Sequence, residues 1–359
     1  KMETITKMEQ FIKGYFERFV SAKENHWNYV DGCLLNAAVL LYEQKKEEYY
    51  KDFVLHYYKK YIEENGNIRF YYPKDYNLDS INSGNGLFFA YRETGEEKYN
   101  KAIELLMDQI RNQPRTYTGN FWHKKCYPEQ VWLDGLYMAQ VFYARYQKLK
   151  DKDYSDIVSQ FKNVRKYLYN PEKGLYYHAI DMAKKQPWCN KENGLSPNFW
   201  GRACGWHIMA LIDTMEIIGE TGDYQGLKDI FIEAINGLLQ YQEKETGLFY
   251  QVLDREDVPE NYLETSGSAM AAYAVLKGCR MGVLPCGIYK GQGEKILDSL
   301  IQLKIKEIDG VLKLGDICRG AGLSDDRDGT VEYYLSEAVG YDDHKGAAPL
   351  IMAYIESQR

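Results

Sequence analysis

Helical periodicity covers most of the 359-residue chain, and it comes in two alternating kinds of segment. The first kind is amphipathic and charged, as expected of a helix with one face in solvent. Six such segments lie at about residues 3–20, 47–64, 96–112, 152–168, 223–242 and 288–304. The second kind is apolar on most faces, as expected of a buried helix. Six of these lie at about residues 27–43, 79–94, 129–147, 203–219, 265–280 and 343–357. The alternation predicts six hairpins of one outer and one inner helix.

The two ends of the chain decide between an open helical solenoid and a closed ring. An open solenoid needs polar caps on its terminal repeats. Residues 3–20 form an outer segment with no inner segment before it, and residues 343–357 form an apolar segment with no outer segment after it. Closing a ring pairs these two segments. We therefore predict an all-α fold, an (α/α)6 barrel or six-hairpin toroid, with residues 1–359 in a single domain.

Composition and charge limit the kinds of partner that such a barrel can bind and the compartment in which it is expected. The net charge of −7 and the lack of a basic run argue against nucleic acid. No apolar run approaches membrane-spanning length, and the N-terminal residues have no apolar signal core, so neither a membrane nor a secretory route is expected. The seven cysteines include no CxxC pair, which favours a reducing compartment. We expect a cytoplasmic protein that is a monomer or a weak homo-oligomer.

In an (α/α)6 barrel the inner helices run in the same direction, so their N-termini converge on one bowl. Converging N-termini offer free N–H groups and positive potential, which suit an anionic ligand. Polar and aromatic residues collect at the predicted helix starts, although the helices are otherwise apolar. Those that we consider as site residues are Tyr29, Asp79, His123, Asp134, His178, Trp200, Arg202 and Trp206.

Asp134 is a lone carboxylate near the start of a segment that is apolar on nearly every face. A buried carboxylate is costly unless it is hydrogen-bonded, paired or used. Burial should raise its pKa, as a general acid near neutral pH requires. Taken alone, such an Asp is more often a structural brace. Asp79 has a similar alternative, because Asp is a preferred helix N-cap.

Arg202 lies between Trp200 and Trp206 at the mouth of another apolar segment. A guanidinium in that position needs an anionic partner, either a structural carboxylate or a carboxylate of the substrate. Both tryptophans could equally serve packing alone, and His123 and His178 could be incidental loop residues. The chain has no HExxH or Cys/His ladder, no P-loop and no GxSxG. We therefore expect no metal and no cofactor.

Three sequence blocks identify a resemblance to a known family. They are Val131-Trp132-Leu133-Asp134-Gly135, Asn198-Phe199-Trp200-Gly201-Arg202-Ala203-Cys204-Gly205-Trp206 and Glu264-Thr265-Ser266-Gly267-Ser268-Ala269-Met270. They resemble the unsaturated rhamnogalacturonyl hydrolases, glycoside hydrolase family 105, in matching order over roughly residues 20–357. The related unsaturated glucuronyl hydrolases of family 88 share scaffold and chemistry. Cys204 departs from the family block, which often has a small polar residue there.

The resemblance implies an enzyme that acts on oligosaccharides left by a polysaccharide lyase, with a 4-deoxy-4,5-unsaturated uronic acid at the non-reducing end. An acid protonates C4 and water adds at C5, after which the hemiketal opens and expels the remaining sugar. Asp134 matches the family's acid/base, and Asp79 matches the second carboxylate. By the same matching, the substrate contacts would come from Tyr29, His123, His178, Trp200, Arg202 and Trp206, with Arg202 on the uronate carboxylate.

Other functions remain open from the sequence. A glucuronyl hydrolase acting on glycosaminoglycan or ulvan fragments would use the same residues. A sugar epimerase or isomerase on the same toroid would need two paired histidines as acid and base. A non-catalytic sugar-binding module or scaffold would tolerate loss of the buried carboxylate. The family resemblance favours the hydrolase, and it implies an unsaturated rhamnogalacturonan disaccharide from pectin degradation as the substrate.

Overall fold

A computed structural model describes residues 2–359 of the chain. The helices are α1 (Met2–Glu17), α2 (Tyr29–Lys45), α3 (Glu48–Tyr61), α4 (Asp79–Asn82), α5 (Asn85–Thr94), α6 (Glu97–Asn112), α7 (Val141–Leu149), α8 (Ser155–Leu168), α9 (Gly201–Ile218), α10 (Tyr224–Leu239), α11 (Thr265–Arg280), α12 (Cys286–Lys304), α13 (Val331–Ser336) and α14 (His344–Ser357). A π-helix spans Leu136–Gln140 directly before α7. In the described residues no helix is long and apolar enough to cross a membrane.

The inner helices form a closed ring in the order α2, α5, α7, α9, α11 and α14, and α14 packs back against α2. The outer ring closes in the same way, because α1 packs against α12. Lys7 of α1 donates a hydrogen bond to the carbonyl of Ile301 in α12 at 2.9 Å. Tyr354 of α14 donates to Glu9 of α1 at 2.8 Å. The predicted six-hairpin toroid is confirmed, while its description as a single domain stays a prediction.

Close packing of the inner ring depends on glycines. A Cβ on Gly205 of α9 would lie 2.6 Å from Sδ of Met270 in α11. A Cβ on Gly267 of α11 would lie 3.0 Å from the carbonyl carbon of Gly201 at the start of α9. The two helices therefore approach to a distance that no larger residue allows. This contact fixes the relative position of two helix N-termini that border the bowl.

The six inner helices run in the same direction. Their C-terminal halves border a single cavity at one end of the barrel, and its lining includes Glu43, Arg92, Lys148, Glu216, Lys277 and Met352. The N-termini of the same helices consequently meet at the other end. This is the orientation that the sequence analysis assumed for the bowl.

Two inner helices are less regular than predicted. The segment at 79–94 is divided into α4 and α5 at Ser83-Gly84. A Cβ on Gly84 would lie 2.2 Å from Cδ1 of Leu106, so the chain packs closely against a side chain of α6 here. The segment at 129–147 begins instead as a strand, turns at Leu133 and becomes helical from Asp134. Asp134 therefore lies at the very start of the third inner helix, as predicted.

The fold is mostly helical, as the all-α prediction expects. Within residues 2–359, eight short strands also form four antiparallel two-stranded sheets in the connections between helices. They are β1 (Gln130–Trp132), β2 (Tyr169–Asn170), β3 (Leu175–Tyr176), β4 (Ala179–Asp181), β5 (Ile305–Ile308), β6 (Val311–Leu314), β7 (Ile317–Cys318) and β8 (Val339–Gly340). β1 pairs with β4, β2 with β3, β5 with β6 and β7 with β8. The sheets fold the long connections over the bowl.

Candidate active site

Asp134 is positioned by the small sheet of β1 and β4. In this sheet Trp132 lies opposite Ala179, and just beyond it the backbone N–H of Leu133 donates to the carbonyl of His178 at 2.8 Å. This pairing brings Oδ1 of Asp134 to 3.1 Å from Nε2 of His178. The Asp134 side chain is 14% exposed, whereas His178 is fully buried. The carboxylate therefore has a buried imidazole on one side and solvent on the other.

His178 is held on its second ring nitrogen by Tyr334 of α13. Nδ1 of His178 lies 2.8 Å from the Tyr334 hydroxyl. Burial raises the pKa of Tyr334 well above its usual value, so this hydroxyl keeps its proton. When Tyr334 donates to Nδ1, the imidazole carries its own proton on Nε2, facing Asp134. This short helix and its tyrosine were not predicted from the sequence.

Asp79 forms a second carboxylate–imidazole pair. Its Oδ1 lies 3.3 Å from Nε2 of His123, and its Oδ2 lies 3.1 Å from Nζ of Lys124. Asp79 is the first residue of α4 and its side chain does not cap that helix, because Leu78 occupies the N-cap position. The structure thus removes the capping alternative. Lys124 was not predicted as a site residue, although its position directly after His123 is a signal in the sequence.

Trp132 joins the two pairs. Its ring stacks on His123 with centroids 5.1 Å apart and planes 7° apart. The ring of His178 meets it edge-on at 5.2 Å. Tyr127 covers the opposite face of the stack at 4.9 Å. The order Asp79, His123, Trp132, His178, Asp134 is therefore a continuous set of contacts across the bowl.

The pKa of Asp134 does not follow the sequence-based prediction. Burial is the largest single influence and raises it, but His178, His123 and the backbone together lower it more, and the net pKa is below the usual value. The pKa of Asp79 is also lowered, because Lys124 and His123 outweigh the effect of burial. The prediction of a raised pKa was wrong because it considered an apolar helix alone, and not the imidazole that the neighbouring strand supplies.

Tyr29 lies between the two catalytic candidates. Burial raises the pKa of its hydroxyl, and the charges of Asp79, Arg202 and Asp134 all act on it. Its ring meets Trp206 edge-on with centroids 6.3 Å apart. The predicted residues Tyr29, Asp79, Asp134 and Arg202 lie on the first four inner segments, and the structure thus brings them close together.

Arg202 is 1% exposed, and its terminal nitrogen Nη1 donates to the Ser266 hydroxyl at 3.2 Å and to the carbonyl of Cys318 at 2.5 Å. Its guanidinium carbon lies 4.7 Å from the ring centroid of Trp200. Within residues 2–359 no carboxylate forms a salt bridge with it. Of the two partners proposed from the sequence, a structural carboxylate is therefore absent from that described part of the chain.

Trp200 and Trp206 are both buried. Trp200 lies against His178 at 4.8 Å and donates its indole N–H to Gln251 at 3.1 Å. Trp206 stacks on Tyr137 with centroids 4.9 Å apart. Trp200 thus packs against both His178 and Arg202. It can therefore belong to the core and to the candidate site at the same time. A role in substrate binding stays a prediction for both tryptophans.

The expected free helix N-termini need a correction. The Glu264 carboxylate caps α11 by accepting hydrogen bonds from the backbone of Ser266 and Gly267. Asp343 caps α14, and Asn28 caps α2. Acidic and amide caps satisfy N–H groups of these three helices, whereas α5, α7 and α9 have no side-chain cap. Attraction of an anion to the bowl therefore rests on the uncapped N-termini together with side-chain cations, above all Arg202.

Cys204, the departure from the family block, is buried in α9. Its thiol donates to the carbonyl of Tyr176 at 3.4 Å, and burial raises its pKa to about 12. The thiol is therefore protonated and engaged with the backbone. It fills space behind the bowl as a small hydrophobic side chain.

Buried atoms without hydrogen-bond partners collect in this region. Within residues 2–359 they include Oδ1 of Asp134, Nε2 of His178 and Nδ1 of His123. The short Asp134–His178 distance thus lacks good hydrogen-bond geometry. Unsatisfied buried polar atoms are uncommon in proteins and call for an explanation. A pair of carboxylates, each beside an imidazole and facing aromatic walls and a buried cation, can exchange protons with a bound anionic sugar.

Comparisons with known proteins were consistent with such chemistry. The model of Glycosyl Hydrolase Family 88 matches residues 3–359. The structure is similar to that of a family 105 glycoside hydrolase from C. acetobutylicum ATCC 824, with a TM-score of 0.93, 40% identity and 99% of each chain covered. The sequence is 26% identical over 265 residues to the unsaturated rhamnogalacturonyl hydrolase YesR of Bacillus subtilis (strain 168), covering 71% of this chain and 72% of YesR. An unsaturated glucuronyl hydrolase from Bacillus sp. GL1 shares the fold, with a TM-score of 0.71, 15% identity, and 98% of this chain and 97% of its own covered.

Proposed function

Since the chain belongs to family 88 of the glycosyl hydrolases and resembles a family 105 enzyme along its whole length, we propose that it releases a 4-deoxy-4,5-unsaturated uronic acid from lyase-generated oligosaccharides. The predicted family membership is confirmed, and with it the prediction of a glycoside hydrolase. The observation that carries the finer proposal is the Asp134–His178 pair at 3.1 Å, in a bowl whose buried Arg202 lacks a carboxylate partner in the described chain.

Asp134 is the proposed acid and base. It gives a proton to C4 of the enol ether, and positive charge develops at C5 next to the ring oxygen. It then accepts a proton from the water that adds at C5. The resulting hemiketal opens and the remaining sugar leaves, so no carboxylate needs to attack the sugar. The distance between two carboxylates therefore does not predict stereochemistry, as it does in ordinary glycosidases.

The lowered pKa of Asp134 has a consequence for this cycle. The carboxyl group is ionised in the free protein at neutral pH. A bound uronate would place a second negative charge nearby and exclude water, and both effects raise a carboxyl pKa. We propose that the substrate itself brings Asp134 to the protonated form that C4 needs, with the proton taken up from solvent on the exposed side of the carboxyl group.

Asp79 and Arg202 receive separate roles. Lys124 and His123 keep Asp79 ionised, so it can orient the attacking water and a ring hydroxyl without competing for the proton on Asp134. Arg202 is fixed by Ser266 and the carbonyl of Cys318. Its guanidinium would pair with the uronate carboxylate, which needs an unpaired cation. Tyr29, His123, His178, Trp200 and Trp206 would border the sugar.

For the leaving sugar we propose rhamnose, as in unsaturated rhamnogalacturonan disaccharide from pectin. This choice is supported by the 26% identity to YesR. The alternative substrates are unsaturated glucuronides from glycosaminoglycan or ulvan. The glucuronyl hydrolase compared above is 15% identical and shares the fold alone. The epimerase and scaffold alternatives lose their basis in a chain that belongs to a glycoside hydrolase family.

The test uses the absorbance of the substrate. The conjugated C4=C5 double bond of an unsaturated uronide absorbs in the far ultraviolet, and hydration removes this absorbance. Purified protein is mixed separately with unsaturated disaccharides from rhamnogalacturonan, chondroitin, heparin and ulvan. We expect the fastest decay with the rhamnogalacturonan disaccharide. A faster decay with a glucuronide would reassign the substrate, and no decay with any of the four would refute the proposed reaction.

We also propose a cytoplasmic location and a monomer or weak homo-oligomer. All seven cysteines are free thiols, which is usual where glutathione keeps proteins reduced. Fractionation of the native cells and light scattering of the purified chain would check the two proposals. A secreted protein or a tight oligomer would contradict them.

A further inference from the structure

A cavity of about 520 Å³ lies at the end of the barrel opposite the bowl. This lower cavity is bordered by the C-terminal halves of the inner helices and is open to solvent. Its volume is in the range of small-molecule sites in proteins. No residue of the proposed reaction borders it. Tyr137 forms part of its floor and stacks on Trp206 with centroids 4.9 Å apart, so one aromatic layer separates it from the bowl.

Part of the wall of the lower cavity is polar. Asn36, Asn85, Tyr137 and Tyr273 contribute amide and hydroxyl groups to it. The Tyr273 hydroxyl and the Asn85 amide also have partners within the chain, and each retains capacity for a further hydrogen bond to a sugar hydroxyl, since amides and hydroxyls have several donor and acceptor positions. Phe88 and Phe89 add apolar surface on the same side of the cavity. A wall of this composition fits a ligand that has both C–H faces and many hydroxyl groups.

The acidic groups of the lower cavity are already neutralised. Asp213 accepts hydrogen bonds from Lys277 at 2.7 Å and from Tyr273 at 2.6 Å. Glu216 lies 3.0 Å from the same lysine. At the rim, Glu43 pairs with Arg92 at 3.1 Å. These carboxylates are therefore neutralised by cations of the chain itself, and they do not require a bound cation.

Two cations of the lower cavity are not neutralised. Arg145 and Lys148 lie one turn apart on α7, and within residues 2–359 neither forms a salt bridge. The Nε of Arg145 donates to Oδ1 of Asn85 at 3.3 Å, which holds the guanidinium at the wall with its terminal nitrogens free of hydrogen bonds in the described chain. Local excess of positive charge is notable in a chain with a net charge of −7. The arrangement suits a carboxylate.

Stabilisation of the helix dipole explains the position of Lys148 but not that of Arg145. Cations are common in the last turn of a helix, where they offset its partial negative charge. Lys148 lies in that turn of α7. Arg145 lies one turn earlier, and it is fixed by a side chain of α5 rather than by the carbonyls at the end of its own helix. Its position is therefore set toward the lower cavity.

We propose that the lower cavity is a second binding site for a small sugar acid, with its carboxylate on Arg145 and Lys148 and its hydroxyls on the polar wall. The ligand is a monosaccharide in size, and it binds outside the bowl. This proposal does not depend on the proposed hydrolytic reaction. A saturated uronic acid, which has no double bond to hydrate, is a suitable probe.

The experiment titrates the full chain with sodium D-galacturonate by calorimetry and repeats the titration with neutral D-galactose and with sodium phosphate. The test variant carries Arg145→Gln and Lys148→Gln. The matched control carries Lys59→Gln and Lys166→Gln, which remove two exposed cations from the last turns of α3 and α8. Both variants lose the same charge, so the general electrostatic effect cancels. Soaking crystals in galacturonate locates the ligand.

We expect galacturonate in the lower cavity, at least about tenfold weaker binding in the test variant, and unchanged binding in the control. Galactose should bind at least about tenfold more weakly than galacturonate. The proposal would be overturned if galacturonate did not bind at all. It would also be overturned if the test variant bound galacturonate as tightly as the unchanged chain, or if galacturonate bound only in the bowl. Phosphate binding as tight as galacturonate would overturn the assignment to a sugar acid. A variant with Arg145→Lys and Lys148→Arg should keep binding, and its loss of binding with an unchanged Tm would also count against the proposal.

Discussion

The two ends of the barrel differ in whether a buried carboxylate is hydrogen-bonded to its neighbouring cation or imidazole. At the lower end, Glu356 accepts two hydrogen bonds from Arg280, at 2.6 Å and 3.0 Å. At the upper end, Asp134 lies 3.1 Å from His178, yet both facing atoms lack a hydrogen-bond partner among the described residues. The first arrangement satisfies its charges, and the second leaves them available.

This difference supports the proposed reactive end, whereas cavity size does not. The 520 Å³ cavity is at the lower end, opposite the end at which we propose the reaction. An unsatisfied buried polar group costs roughly 1–3 kcal/mol. The facing atoms of Asp134 and His178 meet this cost, as expected if this end carries the proposed reaction.

Asp134→Asn should fold normally and lose at least about a hundredfold in kcat, because the amide cannot give a proton to carbon. The measurement is the loss of substrate absorbance, with Tm and circular dichroism as checks on folding. A variant that does not fold would support a structural brace, and full activity would remove Asp134 from the mechanism.

Asp79→Asn should reduce kcat/KM by roughly 10–100-fold, the scale of one hydrogen bond to a charged group. Lys124→Met should produce a smaller reduction through the same carboxylate, because Nζ of Lys124 lies 3.1 Å from Oδ2 of Asp79. Combining the two changes should add little to Asp79→Asn alone. Additive losses would show that Lys124 acts independently of Asp79.

His178→Asn should shift the pH dependence of kcat/KM. His178 is the main group that lowers the pKa of Asp134, and burial acts in the opposite direction. Without the imidazole the pKa of Asp134 rises, so the protonated acid persists to higher pH. The alkaline limb of the pH profile therefore moves to higher pH. An unchanged limb, or one that moves to lower pH, would exclude this coupling.

Glu356→Gln at the lower end should leave kcat within about twofold, which serves as the control for Asp134→Asn because both changes convert an acid to an amide. It should lower the free energy of unfolding by roughly 1.5–3 kcal/mol, because the hydrogen bonds of Arg280 then go to a neutral group. Urea denaturation measures the loss. A large fall in kcat would mean that the two ends are coupled.

The sequence predicted the toroid well because its evidence is repeated. Six charged and six apolar segments give the same signal several times, and α9 and α11 begin within two residues of the predicted starts. The predicted boundaries were wrong at two places. The second inner segment is divided at Ser83-Gly84, which packs against Leu106 of α6, and the pairing of β1 with β4 makes the start of the third segment a strand. These contacts are made by residues far apart in the chain.

The site was predicted in its residue types but not in its pairings. The geometry brings Asp134, Asp79, His123 and His178 together as two pairs, although their roles stay a prediction. Tyr334 escaped notice because it lies 156 positions from the histidine that it contacts, in a short helix without periodicity. No local pattern could indicate that contact.

The sequence by itself determined the alternation of buried and exposed helices and the collection of polar residues at one end of the buried set. Both follow from which residues water solvates, and that property belongs to each residue separately. Only the tertiary structure decided which imidazole lies beside which carboxylate, and therefore that the pKa of Asp134 is lowered rather than raised. Electrostatic interactions depend on distance in space, and distance in space is fixed by the closed ring.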